Sequence, residues 1–383
     1  MSADPLAIPG PGLPSQSFQP PPRLLLGPGP SNVHPRVLAA LARPTIGHLD
    51  PAFVGLMDEI KSLLRYAFRT TNALTFPVSA PGSAGMETCV VNLVEPGDRV
   101  VVCVNGVFGG RMRENVARAG GVPIVVESDF GQPVSVDRVE AALRANPGVK
   151  ALGFVHAETS TGARSDAQAL CALAREHGAL SIVDAVTSLG GIALEVDAWG
   201  IDAIYSGSQK CLSCPPGLSP VSFSPRAVEA VRARKSPVQS WFLDLSLVMN
   251  YWQGEGARSY HHTAPINMLY ALHESLLMLA AEGLEQAWAR HAQNHQRLRV
   301  GLEAMGLELL VPEAARLPQL NTVKIPPGAD DLAVRRALLH EHGIEVGAGL
   351  GALAGKVWRI GLMGEGSRPE SVDRVLQALR SVL

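Results

Sequence analysis

Apolar positions along the chain follow two rhythms. Between 53 and 69, Phe53, Leu56, Met57, Ile60, Leu63, Leu64, Ala67 and Phe68 recur every three or four residues, the spacing of one helix face. Further on, short unbroken apolar runs take over. Val100 to Val104, Ala151 to Val155, Leu180 to Asp184 and Asp202 to Tyr205 each have strand length. Between the second and third of these runs a helix is predicted over 166 to 177, with Ser165 and Gln168 as a capping box and Gly178 as its stop. Strands alternating with helices predict an α/β domain around a mainly parallel sheet.

The rhythm changes after residue 266. Helical spacing runs from 267 to 301, with Gly283 as a break. A strand near Thr322 to Ile325, a helix over 331 to 342 ended by Gly343, a strand over 357 to 361 and a helix over 369 to 382 follow. This is the pattern of a smaller α+β domain. At the other end, residues 1 to 22 are rich in Pro, Gly, Ser and Gln, and Gln19-Pro20-Pro21-Pro22 cannot be helical, so an extended arm is expected. The predicted organisation is an arm over 1–22, a large domain over 23–282 and a small domain over 283–383, with no internal repeat.

A length of 383 residues exceeds what one core usually holds, in keeping with two domains. With 46% hydrophobic and 18% charged residues the chain has a globular balance. Lys+Arg number 33 against 35 Asp+Glu, and no basic block stands out, so neither nucleic acid nor an anionic membrane is expected as a partner. No apolar run approaches the ~18 residues of a membrane span. The N-terminal residues lack a basic region followed by an apolar one, and Val382 stands where a peroxisomal tripeptide wants a basic residue, so a cytoplasmic location is expected. Cys89, Cys103, Cys171, Cys211 and Cys214 are too sparse for a disulfide framework.

The candidate chemistry lies just past the strands. Ser206-Gly207-Ser208-Gln209-Lys210 follows the run ending at Tyr205, and ligands of open α/β sheets bind beyond the carboxyl ends of strands. A lysine there, held by small residues and by Pro215-Pro216-Gly217, can attack an aldehyde and form an imine. Alone, a loop lysine is ordinarily a solvated surface residue. Asp184 alters that reading. It ends the preceding strand, and pyridoxal phosphate needs an acidic partner for its pyridine nitrogen. Ser79-Ala80-Pro81-Gly82-Ser83-Ala84-Gly85 leads into the helical Met86 to Val94 and offers backbone N–H groups and a helix dipole to a phosphate. In Val357-Trp358-Arg359-Ile360-Gly361 an arginine among apolar neighbours suits a two-point grip on a carboxylate.

Taken together, these segments resemble the alanine–glyoxylate and serine–pyruvate aminotransferase family, fold type I pyridoxal-phosphate enzymes of class V. The resemblance runs from about Leu24 to the C-terminus. It is carried by Leu26-Gly27-Pro28-Gly29-Pro30-Ser31-Asn32, Glu158-Thr159-Ser160-Thr161-Gly162, Asp184-Ala185-Val186-Thr187-Ser188-Leu189-Gly190-Gly191, Ser206 to Lys210, Tyr260-His261-His262-Thr263 and Gly355 to Gly361. It implies that Lys210 is the Schiff-base lysine and that Asp184 pairs with the pyridine nitrogen. Val186 and Phe108 would cover the two ring faces, and Thr159 would reach the ring hydroxyl. Gly82, Ser83 and Gln209 would hold the phosphate, with Tyr260 and Thr263 reaching the phosphate of a neighbouring subunit. Arg359 would bind the substrate carboxylate. The implied reaction moves an amino group from a small amino acid, alanine or serine, to glyoxylate or a similar oxo acid, in a homodimer with shared active sites.

Three features depart from the family. Phe108 stands where some relatives have Trp. Pro81-Gly82-Ser83 replaces Ser-Gly-His, and Pro81 has no N–H to donate, which puts one phosphate contact in question. Cys211-Leu212-Ser213-Cys214 is a single CxxC and reads as packing, with no metal expected. Two other activities compete. A cysteine desulfurase-like lyase of the same fold would carry His before the lysine, where Gln209 stands, and a reactive cysteine on a late loop. A nicotinamide oxidoreductase would use Gly347-Ala348-Gly349-Leu350-Gly351-Ala352, which fits G-x-G-x-x-A but lacks a following βαβ unit and reads as a flexible loop. A non-catalytic binding protein is the third alternative.

Overall fold

The computed structural model describes residues 16–252 and 258–383. Residues 16–22 are exposed and carry no regular structure, and the rest of the expected arm lies outside the described residues.

The apolar runs build a seven-stranded sheet. Its strands are β1 (Leu74–Val78), β2 (Arg99–Val104), β3 (Val122–Glu127), β4 (Ala151–Val155), β5 (Leu180–Asp184), β6 (Ala203–Tyr205) and β7 (Ser219–Phe223). Their order is β1-β7-β6-β5-β4-β2-β3. Only β7 runs antiparallel to its neighbours. Every residue of β4 and β5 is buried, as expected of strands covered on both faces by helices. Asp184 at the end of β5 is in register with Tyr205 at the end of β6, so the strand ends meet at one edge of the sheet.

Helix α1 (Pro51–Phe68) opens with Pro51 after Asp50, whose side chain accepts the Ala52 N–H at 2.8 Å. It ends where Arg69 turns left-handed, and it buries Phe53, Met57, Ile60, Leu64, Ala67 and Phe68. Helices α2 (Gly82–Leu93) and α3 (Val107–Arg118) follow β1 and β2. The long C-terminal stretch is two helices, α4 (Ile266–Glu282) and α5 (Leu284–Glu303), parted at Gly283 with φ 89°.

A second core gathers Leu298, Leu302, Val323, Trp358, Ile360 and Val375 around β8 (Leu320–Lys324), β9 (Gly347–Ala348) and β10 (Val357–Gly361). Residues 24–26 belong there too: Leu24–Leu25 pairs in parallel with Ile344–Glu345, and Leu26 is buried in this core. Two local expectations are corrected. Asp166, not Ser165, caps the 166–177 helix by accepting the Ala169 N–H at 3.0 Å. The Ser165 hydroxyl instead accepts the Val134 N–H at 3.1 Å, a demand from a distant loop that outweighs the local box. Gly347–Ala348 is not a loop but pairs with β10, and a Cβ at Gly347 would overlap Pro28. No described helix is long and apolar enough to cross a membrane.

Candidate active site

At the end of β5, Asp184 is 2% exposed. Its Oδ1 accepts the Val186 N–H at 2.9 Å and its Oδ2 accepts the Tyr205 hydroxyl at 2.8 Å. Burial pushes its pKa up to about 7 against those two donors, and the nearby Glu158 charge acts in the same direction as burial. A carboxylate held this way is well placed to receive a cation.

Lys210 follows β6 and is also buried, 8% exposed. Its ammonium donates to the carbonyl of Pro28. The segment 28–31 forms a bed for it. The Ser31 hydroxyl donates to the Lys210 carbonyl at 2.7 Å, and the Ser31 N–H donates to the Gln209 carbonyl at 2.9 Å. Gly29, with φ 98°, lies directly under the lysine, where any Cβ would overlap its side chain. Burial, with Arg359 adding to it, lowers the Lys210 pKa to about 8.

Helix α2 begins without a side-chain cap, because Pro81 occupies the cap position. The N–H groups of Gly82 and Ser83 have no protein acceptor among the described residues. They open next to the loop after β6: a Cβ on Gly82 would lie 3.3 Å from Val186 Cγ2 and 3.4 Å from the Ser206 carbonyl oxygen. Gln209 belongs to that loop, and its Oε1 is buried without a partner among the described residues. Gly82, Ser83, Val186 and Gln209 therefore come together.

Phe108 lies in the first turn of α3. That turn starts at Gly106, which has no side chain to cap it, and the cap comes from elsewhere. Glu158, fully buried, accepts the Gly109 N–H at 3.2 Å and, more loosely, the Phe108 N–H at 3.5 Å. The Ser160 hydroxyl accepts the Val107 N–H at 2.9 Å and donates to Glu158 at 2.6 Å. A side chain at Gly106 would overlap Glu158. Phe108 is half-buried, with the Arg111 guanidinium 4.9 Å from its ring centroid.

One residue beyond Glu158, the Thr159 hydroxyl pairs with that of Thr187 at 2.5 Å. The Thr159 carbonyl accepts from Arg359 Nη1 at 3.0 Å, and Ala348 accepts from Arg359 Nε at 2.8 Å. Arg359 Nη2 has no protein partner among the described residues. Burial lowers the Arg359 pKa to about 10, opposed by Glu158.

Tyr260 and Thr263 stand apart. Tyr260 is 62% exposed, against His48 at 5.2 Å, and neither residue hydrogen-bonds to the site within the chain. Glu158, Ser160, Tyr205 and Ser31 were missed as site residues. Glu158, Ser160 and Ser31 lie inside the segments that carry the resemblance, and Tyr205 immediately precedes one. Cys211 and Cys214 are both buried.

The aminotransferase class-V family model matches residues 31–364. The chain is 43% identical to an alanine–glyoxylate aminotransferase of Oryctolagus cuniculus, over 95% of this chain and 93% of that one. A solved alanine–glyoxylate aminotransferase from Nostoc sp. superposes with a TM-score of 0.94 at 50% identity, covering 97% of each chain. The ureidoglycine–glyoxylate aminotransferase of Bacillus subtilis superposes with the same TM-score, 0.94, at 38% identity, over 96% of this chain and 94% of that one.

Proposed function

The chain belongs to the class-V aminotransferases, and from that premise we propose that it moves an amino group from alanine or serine to glyoxylate or a similar small oxo acid, using pyridoxal phosphate held on Lys210. The observation that carries the reading is a buried carboxylate, Asp184, near a buried amine, Lys210, with the buried Arg359 close enough to that amine to lower its pKa.

The residues fit that cofactor. Asp184, pushed up to about 7, would be stabilised as a carboxylate by a cationic ring N–H. The unpaired amides of Gly82 and Ser83 at the start of α2 suit a phosphate. The unpartnered Gln209 Oε1 leaves that side chain free to turn its amide N–H groups the same way. When bound, pyridoxal phosphate supplies an aldehyde carbon to condense with amines and a protonated ring that accepts electrons from the substrate α-carbon.

The chain's own residues do the rest. Asp184 would keep a ring nitrogen protonated. Val186 and Phe108 would cover the ring. Lys210, as a free amine, would move the proton at the substrate α-carbon, as general base and then acid. Its lowered pKa, about 8, keeps a usable fraction of free amine near neutral pH. Arg359, anchored by two carbonyls, presents Nη2 and its neighbouring N–H to a carboxylate. Among the described residues Arg359 is the one arginine whose charge acts on Lys210, which suits monocarboxylates, since a dicarboxylate wants a second cation. The exposed Tyr260 and Thr263 fit a homodimer in which each chain completes its neighbour's phosphate site.

The test is a substrate screen. Purified enzyme is offered alanine, serine and aspartate as donors against glyoxylate and pyruvate. Turnover of alanine or serine with glyoxylate is expected, and aspartate should be poor. The reading fails if no monocarboxylic donor transfers to either acceptor.

A further inference from the structure

The turn between β1 and α2 is three residues long, Ser79-Ala80-Pro81. It aims the Gly82 and Ser83 amides, yet it has little to hold itself. Pro81 gives no cap and no N–H, and Ala80 makes one backbone bond, to the Val78 carbonyl at 2.8 Å. Ser79 carries the only polar side chain in the turn. Its hydroxyl is bonded to His262 Nε2 at 2.7 Å, from a segment 183 residues away.

His262 has a second bond on its other nitrogen. Its Nδ1 meets His261 Nδ1 at 2.8 Å. The ring sits in an aromatic box, with the edges of Phe242 at 5.1 Å and Tyr251 at 5.3 Å. Phe76, Val78 and Trp252 line the same pocket. Burial, with His261 and His48 adding to it, lowers the His262 pKa to about 4, so the ring is neutral near pH 7. A neutral imidazole has one N–H and one lone pair, and both are committed here. In apolar surroundings such bonds are strong and costly to leave unmade.

We propose that His262 is a positioning residue for the phosphate turn: through Ser79 it fixes how the chain enters α2, and through His261 it ties that turn to the 260–263 segment. The proposal rests on the reading that residues 82 and 83 receive the phosphate of pyridoxal phosphate. One ring then sets both the turn serving a chain's own cofactor and the segment offered to its neighbour.

The test compares pyridoxal phosphate with pyridoxal, which lacks the phosphate, by following the visible absorption of each on the full-length protein. Ser79→Ala and His262→Asn each remove the Ser79 contact. Each should raise the Kd of pyridoxal phosphate about tenfold, the size of one buried hydrogen bond, and leave that of pyridoxal unchanged. The double variant should be no worse than either single one, because both remove the same bond. His262→Gln, which keeps an amide where Nε2 stood, should recover most of the affinity. Equal weakening of both ligands would mean general damage and overturn the assignment, as would wild-type affinity in Ser79→Ala and His262→Asn. A wild-type protein that binds neither ligand would overturn the cofactor reading along with it.

Discussion

Tyr205 donates its phenolic hydrogen to Oδ2 of Asp184 at 2.8 Å, and both side chains are shut off from solvent. The pair exists because β5 and β6 are parallel neighbours with these two residues in register. The bond helps keep Asp184 ionised against burial. Tyr205→Phe removes it without changing the ring. A hydrogen bond to a charged group contributes about 1.5–3 kcal/mol. The expected result is at least about a tenfold loss of cofactor affinity and a parallel fall in kcat. Wild-type values for both in absorbance titration and steady-state assay would remove Tyr205 from the site.

The same burial predicts how the cofactor-free protein responds to pH. The folded-state pKa of Asp184 is raised from 3.8 to about 7. The folded chain therefore keeps a proton that the unfolded chain has released, and stability is fully present below the lower value and lost as pH rises through the upper one. Lys210 acts in the opposite sense. Its folded pKa is lowered from 10.5 to about 8, so stability is regained as pH rises across that window. Urea midpoints of cofactor-free protein should fall between about pH 4 and 7, and Asp184→Asn should flatten that slope. An unchanged slope in Asp184→Asn would show that Asp184 does not titrate this way.

How far the sequence reveals such relationships depends on where the deciding contact lies. β5 and β4 are legible because strands buried on both faces are uniformly apolar. β7 is not. It contains Pro220 and two serines, which the sheet satisfies through Ser219 to the Ser206 carbonyl at 2.6 Å and Ser222 to Thr75 at 2.9 Å. Asp184 and Lys210 stand out because each ends or follows a strand. Glu158 and Tyr205 do not, since their value lies in partners 49 and 21 residues away along the chain. The Ser165 box was locally sound and was overruled by Val134.

Glu158 is the clearest of these missed residues. It supplies the cap that Gly106 cannot, and so sets the turn bearing Phe108. In Glu158→Gln the amide NH2 would face backbone N–H groups, leaving one or more buried donors unpaired at about 1–3 kcal/mol each. Thermal stability should drop, and the visible circular dichroism of bound cofactor should weaken as Phe108 loses its fixed place. A variant with wild-type melting and an unchanged visible spectrum would show that Glu158 does not orient Phe108.

Arg359→Lys separates charge from geometry. Lysine keeps the positive charge but cannot bond the Ala348 and Thr159 carbonyls while offering a planar pair of N–H groups to a carboxylate. KM for both the amino and the oxo acid should rise by about tenfold or more, with the cofactor's absorbance unchanged. Unaltered KM values for both substrates would exclude Arg359 from carboxylate binding.

The last prediction concerns Tyr260 and Thr263, whose side chains are exposed and make no hydrogen bond to another site residue among the described residues. Tyr260 is 62% exposed, and Trp241, 63% exposed, stacks on His261 beside it at 4.5 Å. An aromatic surface of this kind suits contact with a second copy. If Tyr260 and Thr263 complete a neighbour's phosphate site, two separately inactive proteins should rescue one another. One carries Lys210→Ala and the other carries Tyr260→Ala with Thr263→Ala. In a mixed dimer, the chain with both loop substitutions still has Lys210, and it receives intact Tyr260 and Thr263 from its partner. That site should work, while the other has lost both contributions. Activity should therefore return on subunit exchange, approaching a quarter of the wild-type value per site at random equal mixing. If differential tagging shows that mixed dimers form and no activity returns, the shared-site arrangement is excluded. Activity that returns without mixed dimers would point to carry-over of wild-type protein.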